Sequence, residues 1–395
     1  MRSQEAGRNI AVAKVLMKGN EAIAEAAIRA GATNYFCYPI TPQTEVAEYL
    51  ARRMPEVGGV FLQAESEVAV GNIIFGAAST GKRVFTSSSS PGISLMQEAI
   101  SYMAGAQLPC VILNIMRGGP GLGGILPAQS DYFQATKGGG HGDYRLLVLA
   151  PSTIQEAVDL TMLACHLADK YRNPVMIIGD GMIGQMMEPV EFPEKYTEPE
   201  LPSNDEWAAT GAKGRKPRVI KSLFLDPYKL EDNSVVLYKK YQQMKKEEAR
   251  FELYKTSTKN KILIVSYGTM ARICQTVIDE LEAEGVSVGL FRPITVFPFP
   301  EEALKKEATR KNIESVLTVE MSMGQMVEDV EKVIAGQRPV LFFGRTGGIV
   351  PTPDEVKERI KNLIKKEHGT RKQAAKTASK GKTSTKSKAK SKKKG

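Results

Sequence analysis

Over residues 15–190, short continuous apolar runs alternate with longer stretches of helical periodicity. The runs Cys110–Met116 and Val175–Ile178 have the unbroken apolar character of strands buried on both faces of a parallel sheet. Residues 65–80 and 152–169 have the length and periodicity of helices. This alternation predicts an α/β fold built on a doubly wound, mostly parallel sheet.

The pattern breaks over residues 191–260 and resumes at Lys261. The middle stretch holds several prolines, the single Trp207 and a charged segment, Tyr238–Lys255, compatible with an exposed helix. We expect a linker or excursion there. Strands and helices alternate again over residues 261–366, which predicts a second, smaller α/β domain.

The net charge of +10 is concentrated at one end of the chain. Residues 370–395 hold 11 Lys or Arg and no Asp, Glu or aromatic residue, so the rest of the chain is close to neutral. A segment of this composition does not bury enough apolar surface to fold, so we predict a disordered Lys-rich tail. Nucleic-acid binding through this tail, with steep salt dependence, is a distant alternative function.

Other observations exclude whole classes of protein. No apolar run reaches the roughly 18 residues of a membrane helix, and the N-terminus has no continuous apolar signal region. The four cysteines lie far apart without a CxxC motif, which argues against a disulfide framework and against a thiolate-held zinc or iron–sulfur cluster. We expect a cytoplasmic protein with no metal site on this chain.

Ligands of open α/β sheets bind beyond the carboxyl ends of the strands, where several unusual loops of this chain fall. In Tyr38-Pro39-Ile40-Thr41-Pro42, two prolines fix the backbone around a threonine hydroxyl, which suits either a rigid turn or a binding turn.

Glu65 and Glu67 stand at the start of an apolar helix. Glu65 fits an ordinary role at a helix N-terminus. Glu67 is followed by apolar residues, so its carboxylate is expected to be buried and to need a partner, which a protonated ring nitrogen of a ligand would supply.

Two further loops carry hydrogen-bonding groups. The segment Ser87–Gly92 offers hydroxyls and backbone amides for an anion, or forms a solvated turn in which Ser90 is the N-cap. Arg117 ends a buried strand before a glycine-rich loop and is suited to bidentate recognition of a carboxylate.

Two other motifs have weaker claims to a site. Gly179-Asp180-Gly181 followed by Asn204 resembles the GDG…N motif that holds magnesium and a diphosphate, but the intervening stretch is rich in Pro and Glu and lacks the apolar strand which that motif requires. His141 lies in a glycine loop and is either a proton donor near the site or a surface histidine.

Read together, the loops resemble one family. YPITP, QAESE, TSSSSPG, RGGPG, PAQSDYFQATKGGGHGDYR and IIGDG are similar to motifs of the α-type chain of thiamine diphosphate-dependent 2-oxoacid:ferredoxin oxidoreductases, most of all the type acting on 2-oxoisovalerate. The resemblance covers residues 15–366. It implies a pyrimidine-binding domain over 15–190 and a transketolase C-terminal-like domain over 261–366.

The resemblance also implies a division of labour in a hetero-oligomer. A β-type chain would share thiamine diphosphate and hold Mg²⁺, γ/δ-type chains would carry iron–sulfur clusters, coenzyme A would be the co-substrate and ferredoxin the electron acceptor. Such an enzyme oxidatively decarboxylates a 2-oxoacid to an acyl-CoA and CO₂. An α chain specific for 2-oxoglutarate or pyruvate is the alternative that the shared motifs leave open.

Site residues follow from the resemblance position by position. Glu67 matches the glutamate that hydrogen-bonds N1′ of the aminopyrimidine ring and is the implied catalytic residue. Thr41 and Arg117 match substrate-binding residues. The implied cofactor contacts are Glu67 together with Tyr38, Pro39, Ile40 and Ser89.

Overall fold

The computed structural model describes residues 14–193, 200, 201 and 203–365, so the tail predicted over 370–395 lies outside the described residues. The strands are β1 (Val15–Lys18), β2 (Asn34–Cys37), β3 (Val60–Gln63), β4 (Val84–Ser88), β5 (Cys110–Met116), β6 (Leu147–Leu149), β7 (Pro174–Asp180), β8 (Met187–Val190), β9 (Phe251–Tyr254), β10 (Ile262–Val265), β11 (Gly289–Pro293), β12 (Thr295–Phe297), β13 (Ser315–Glu320) and β14 (Val340–Gly344).

The helices pack against these strands. They are α1 (Gly19–Arg29), α2 (Thr44–Glu56), α3 (Glu67–Ser79), α4 (Ser90–Gly105), α5 (Tyr132–Lys137), α6 (Ile154–Tyr171), α7 (Gly181–Gln185), α8 (Pro227–Glu247), α9 (Gly268–Ala283), α10 (Glu301–Ala308) and α11 (Met326–Ile334). A short 3₁₀ turn covers Asn204–Glu206, and residues 353–365 are helical.

The first sheet has seven strands, in the order β12-β6-β7-β5-β4-β2-β3. Its neighbours are parallel except β12, which runs antiparallel to β6. Helices cover both faces, so the prediction of a doubly wound, mostly parallel sheet is confirmed. The central strand β5 is buried along its whole length, as its unbroken apolar sequence predicts.

A second sheet has the order β14-β13-β10-β11-β9 and is parallel except for β9, which runs antiparallel to β11. Strand β9 belongs to the stretch 191–260, which was predicted as a linker. Strand β12 belongs to residues 261–366, predicted as the second domain, but it pairs with β6 of the first sheet. Each sheet therefore takes one strand from across a predicted domain boundary. The boundaries themselves stay predictions.

The charged stretch before the second sheet differs from its predicted form. Helix α8 begins at Pro227, where the Asp226 side chain accepts a hydrogen bond from the Tyr228 amide at 3.0 Å, and it ends at Glu247. The exposed helix predicted to reach Lys255 is wrong beyond that point, because Phe251–Tyr254 is a strand whose backbone pairs with β11.

In the part of the chain that the structure describes, three apolar clusters make up the core. One lies between the first sheet and helices α1, α2 and α6. A second lies under α3 and α4 and continues into the second sheet through side chains such as Leu263 and Phe291. The third packs α9 and the helical residues 353–365 on the second sheet. Since the second cluster spans both sheets, they share one hydrophobic interior.

Polar contacts also join the two sheets near their carboxyl ends. The Gln129 side chain donates to the Tyr267 carbonyl at 2.9 Å and accepts from the Met321 amide at 3.0 Å. Tyr267 follows β10 and Met321 follows β13, while Gln129 lies on the loop after β5. The loops of the first sheet therefore meet the carboxyl ends of the second.

An ion pair between a buried arginine and a half-buried glutamate makes a further link. The Arg292 guanidinium on β11 donates to both carboxylate oxygens of Glu156 on α6, at 2.8 and 2.9 Å. It also donates to Glu252 at 2.7 Å.

Within the residues that the structure describes, no helix has the length and apolar character needed to cross a bilayer.

Candidate functional site

The loops singled out from the sequence lie side by side at one edge of the first sheet. Strands β3, β2, β4 and β5 are parallel neighbours, so their carboxyl ends point the same way. The YPITP turn follows β2, the start of α3 follows β3, the start of α4 follows β4, and the Arg117 loop follows β5. This edge is the candidate site.

Glu67 occupies the first turn of α3 and is 6% exposed. The helix starts here because the Ser66 hydroxyl caps it, accepting a hydrogen bond from the Ala69 amide at 3.2 Å. Within the described chain, no residue makes a hydrogen bond or an ion pair to the Glu67 carboxylate. A buried carboxylate without a partner is costly, so this one is suited to a ligand that donates a hydrogen bond.

Gly92 on α4 provides the space for this carboxylate. A Cβ atom at Gly92 would lie 2.6 Å from Glu67 Oε1 and would also collide with Ser88 Oγ. Glu67 and Ser88 therefore crowd the same point above the Gly92 backbone. Only a residue without a side chain leaves room for both there.

The two serines beside this point have free hydroxyls. Ser88 ends β4 and Ser89 is the N-cap of α4. Both are buried, and their hydroxyl groups have no hydrogen-bond partner among the residues that the structure describes. The prediction that Ser90 is the N-cap is wrong, since Ser90 is the first helical residue. Buried unpaired hydroxyls next to an unpaired carboxylate indicate a binding surface.

Arg117 and Thr41 come together at the same edge of the sheet. The Arg117 guanidinium donates to the Thr41 carbonyl at 2.9 Å and to the Leu122 carbonyl at 3.0 Å. Its buried Nε has no hydrogen-bond partner in the described part of the chain. The side chain is thus held between the YPITP turn and its own glycine loop. Its remaining N–H groups are available to an anionic ligand.

Most of the YPITP turn lies at the protein surface, although its last residue, Pro42, is buried. Tyr38, Pro39 and Thr41 are exposed, and Ile40 is half-buried with its carbonyl accepting from the Gln43 amide at 3.2 Å. The turn therefore presents side chains outward, beside the Arg117 loop, and is available to whatever covers this edge.

Asp131 is a site residue that our sequence reasoning missed. Its Oδ2 accepts from the Ser90 hydroxyl at 2.5 Å and from the Asn114 amide at 2.9 Å. Burial raises the pKa of Asp131 above its ordinary value, although these two bonds and the charge of Arg117 oppose the rise. No local pattern marks this aspartate, because its partners lie on distant elements.

A cavity of about 300 Å³ opens next to Asp131, between the loops of the first sheet and the second domain. Its walls are Ser90, Pro91, Ser94, Gly119, Pro120, Gly121, Ser130, Asp131, Met323, Gln325 and Thr346. Gln325 joins the second domain to the loop before α5 at this cavity. Its side chain donates to the Ser130 carbonyl at 2.7 Å and accepts from the Phe133 amide at 2.8 Å.

The weaker sequence motifs lie elsewhere. The Asp180 carboxylate caps α7 through the Met182 and Ile183 amides, whereas Asn204 donates to the Gly81 carbonyl, which precedes β4 at the opposite edge of the sheet. The structure does not bring the GDG…N residues together. His141 is exposed beside the Tyr102 ring.

Comparison with protein families gives two matches. A model described as pyruvate flavodoxin/ferredoxin oxidoreductase, thiamine diphosphate-binding, matches residues 25–255. A model of pyruvate:ferredoxin oxidoreductase core domain II matches residues 260–356.

Curated relatives align with nearly the full chain. Ketoisovalerate oxidoreductase subunit VorB of Methanothermobacter marburgensis is 45% identical over 352 residues, which is 89% of this chain and 98% of VorB. The 2-oxoglutarate synthase subunit KorA of Methanothermobacter thermautotrophicus is 34% identical over 371 residues, covering 87% of this chain and 97% of KorA.

Solved structures agree with the sequence relatives. The 2-oxoglutarate:ferredoxin oxidoreductase from Magnetococcus marinus, with 2-oxoglutarate, coenzyme A and succinyl-CoA bound, superposes with a TM-score of 0.78 at 26% identity. The match covers 89% of this chain and spans 66% of that one. A split-gene transketolase, with a TM-score of 0.51 at 16% identity over 87% of this chain and 93% of that one, shares the fold.

Proposed function

This chain belongs to the pyruvate flavodoxin/ferredoxin oxidoreductase family, and on that premise we propose that it is the α-type subunit of a branched-chain 2-oxoacid:ferredoxin oxidoreductase. Together with partner subunits it converts a 2-oxoacid and coenzyme A into an acyl-CoA and CO₂, and the electrons released reduce ferredoxin. The observation that carries the proposal is the buried, unpartnered carboxylate of Glu67 among the free hydroxyls of Ser88 and Ser89.

These residues fit the aminopyrimidine ring of thiamine diphosphate. A carboxylate with no hydrogen-bond partner within the described chain suits a protonated ring nitrogen, and a free hydroxyl can donate to or accept from a ring substituent. When bound, the cofactor supplies an electron sink for decarboxylation of a 2-oxoacid. Ser89 and the turn residues Tyr38, Pro39 and Ile40 form the proposed remainder of the ring contacts.

Glu67 is proposed as the catalytic residue of this chain. Its carboxylate holds a proton on the ring nitrogen N1′ of the cofactor, which makes the neighbouring amino group of the ring more acidic. Its burial strengthens this effect, because few water molecules screen the charge at this point.

Arg117 and Thr41 are proposed to bind the substrate. The Arg117 guanidinium is already held by the Thr41 and Leu122 carbonyls, so its orientation is fixed before an anion arrives. A fixed guanidinium loses little conformational entropy on binding the carboxylate of a 2-oxoacid. The Thr41 hydroxyl lies on the exposed turn beside it.

The proposed substrate is a branched-chain 2-oxoacid. The VorB relative at 45% identity is named for ketoisovalerate, whereas the KorA relative at 34% is named for 2-oxoglutarate. The loop after Arg117 also exposes Leu122, Ile125 and Leu126, which are apolar side chains suited to a branched hydrocarbon rather than to a second carboxylate.

The partner subunits are proposed from the same relationships. VorB and KorA are both named as subunits, which supports a hetero-oligomer. We propose that a β-type chain holds the diphosphate and Mg²⁺, that γ/δ-type chains carry the iron–sulfur clusters, and that ferredoxin accepts the electrons. The four cysteines of this chain are all buried. A cytoplasmic location stays a prediction.

The test is turnover of the reconstituted complex with a panel of 2-oxoacids and a ferredoxin or viologen acceptor. We expect 2-oxoisovalerate to have the highest kcat/KM. Preference for 2-oxoglutarate or pyruvate would overturn the branched-chain assignment, and absence of turnover with every 2-oxoacid would overturn the function.

Two matched variants test the role of Glu67. Glu67→Gln keeps the shape of the side chain and removes its charge, so we expect a loss of about 10²–10⁴-fold in kcat with subunit assembly intact. Glu65→Gln is the control, since Glu65 is exposed two residues earlier. Near-normal turnover of Glu67→Gln would remove this residue from the mechanism.

A further inference from the structure

A buried hydrogen-bonded chain connects Asp131 to Arg117. Asp131 Oδ2 accepts the Ser90 hydroxyl at 2.5 Å, and Ser90 Oγ in turn accepts the backbone N–H of Arg117 at 3.0 Å. Asp131, Ser90 and Arg117 are each exposed by less than one tenth. Because water has little access, the bonds of this chain are stronger than they would be at the surface.

The same carboxylate joins three elements at this edge. Ser90 starts α4, Asn114 lies inside β5, and Asp131 itself lies just before α5 on the loop that Gln129 fastens to the second domain. Arg117 directly follows β5 and precedes the glycine loop. Its backbone position therefore depends on a contact from across the loop as well as on the sheet.

Within the described residues, no carboxylate makes an ion pair with the Arg117 side chain, although its charge opposes the rise in the pKa of Asp131. Its guanidinium is oriented by two backbone carbonyls, those of Thr41 and Leu122. The position of the guanidinium therefore depends on the Arg117 backbone. The bond from the Arg117 amide to Ser90 and the β-bridge between Arg117 and Pro127 hold that backbone.

We propose that Asp131 is a positioning residue for substrate binding, acting through Ser90 on the backbone of Arg117. This inference rests on the proposed function, which assigns Arg117 to the carboxylate of the 2-oxoacid. Asp131 does not itself contact substrate in this arrangement. It sets where the guanidinium stands when the substrate arrives.

The test compares Asp131→Asn, Ser90→Ala and the double variant in the reconstituted complex. Each single change weakens the chain at one link, so we expect KM for the 2-oxoacid to rise about ten-fold, the size of one charge-assisted hydrogen bond, with kcat changed less than two-fold. Because both residues act through the same chain, the double variant is expected to have the KM of a single one.

Ser94→Ala is the matched control. Ser94 lines the same cavity and its hydroxyl donates to the Ser90 carbonyl at 3.2 Å, but it makes no bond to Asp131. Its KM is expected to stay within two-fold of the wild type. A general loosening of the cavity would raise KM in this variant as well, and that result would overturn the inference.

Other outcomes also decide the question. An unchanged KM in Asp131→Asn, or a loss in kcat alone, would refute positioning while leaving the function intact, since the wild-type complex would still turn over. If the increases in KM of the two single variants multiply in the double variant, Asp131 and Ser90 act independently, and that result would overturn the inference. If the wild-type complex turns over no 2-oxoacid, the function fails and the inference falls with it.

Discussion

Replacing Gly92 with alanine adds a single methyl group beside the proposed catalytic carboxylate. The new Cβ would lie 2.6 Å from Glu67 Oε1 and 2.9 Å from Glu67 Cγ, whereas ordinary contacts begin at 3.4 Å. Since Ser88 Oγ blocks the same point, the carboxylate has to move by up to about 1 Å. Gly92 has no positive φ, so the substitution introduces no backbone strain.

Two effects follow from that displacement. Overpacking costs about 1–3 kcal/mol, and the better helix propensity of alanine returns about 0.5–1 kcal/mol, so we expect a net loss of about 1–2 kcal/mol in the free energy of unfolding. A misplacement of about 1 Å at a reacting group costs about 10²-fold in rate. Turnover should therefore fall about 100-fold in a protein that is still folded.

Two alanine variants on α3 separate these effects. Gly71→Ala would place a Cβ 2.6 Å from the Ala99 Cβ, away from the carboxylate, and should lose comparable stability with less than a ten-fold loss of turnover. Gly76→Ala meets nothing within 4 Å and should gain about 0.5–1 kcal/mol. Urea denaturation and acceptor reduction measure both quantities. Turnover within two-fold of the wild type in Gly92→Ala would refute the reasoning.

Two further predictions concern charged pairs. Arg292→Met leaves the Glu156 carboxylate without its bidentate partner. Urea denaturation should show a loss of about 3 kcal/mol in the free energy of unfolding. A loss below about 1 kcal/mol would contradict the role of this pair in joining the domains. Burial raises the pKa of Glu25, but hydrogen bonds from Arg53, Tyr49 and Arg29 outweigh it and hold the pKa below its ordinary value of 4.5. The wild type should therefore be more stable than Glu25→Gln above pH 4.5. This difference in unfolding free energy should disappear as the pH falls through the lowered pKa. An advantage that does not change between pH 7 and pH 3 would show that these bonds do not act through the charge of Glu25.

Much of the fold could be predicted from local patterns. The strand Cys110–Met116 was predicted with its observed bounds, because a continuous apolar run carries a strong signal for a buried strand. The β12 strand was not predicted, since Thr295–Phe297 is three residues long and lies between prolines. So short a segment has no measurable periodicity, and its pairing with β6 is a tertiary contact.

The candidate site divides in the same way. Glu67 was identified from its own surroundings, because a carboxylate at the head of an apolar helix conflicts with local rules. Asp131 was missed, since Ser90 and Asn114 are 41 and 17 residues away and nothing near Asp131 indicates burial. Family membership was predicted from the loop motifs and is confirmed by the family models and relatives. The role of each site residue stays a proposal.

The crossing of β12 into the first sheet also affects how this chain is made. As the protein leaves the ribosome, strand β6 emerges long before Thr295–Phe297 has been synthesised. Until then β6 is an open edge that another strand, including one from a second nascent chain, can pair with. The first sheet is closed on this side only by a late segment. A chain that ends before Thr295 would therefore keep β6 as an open sheet edge.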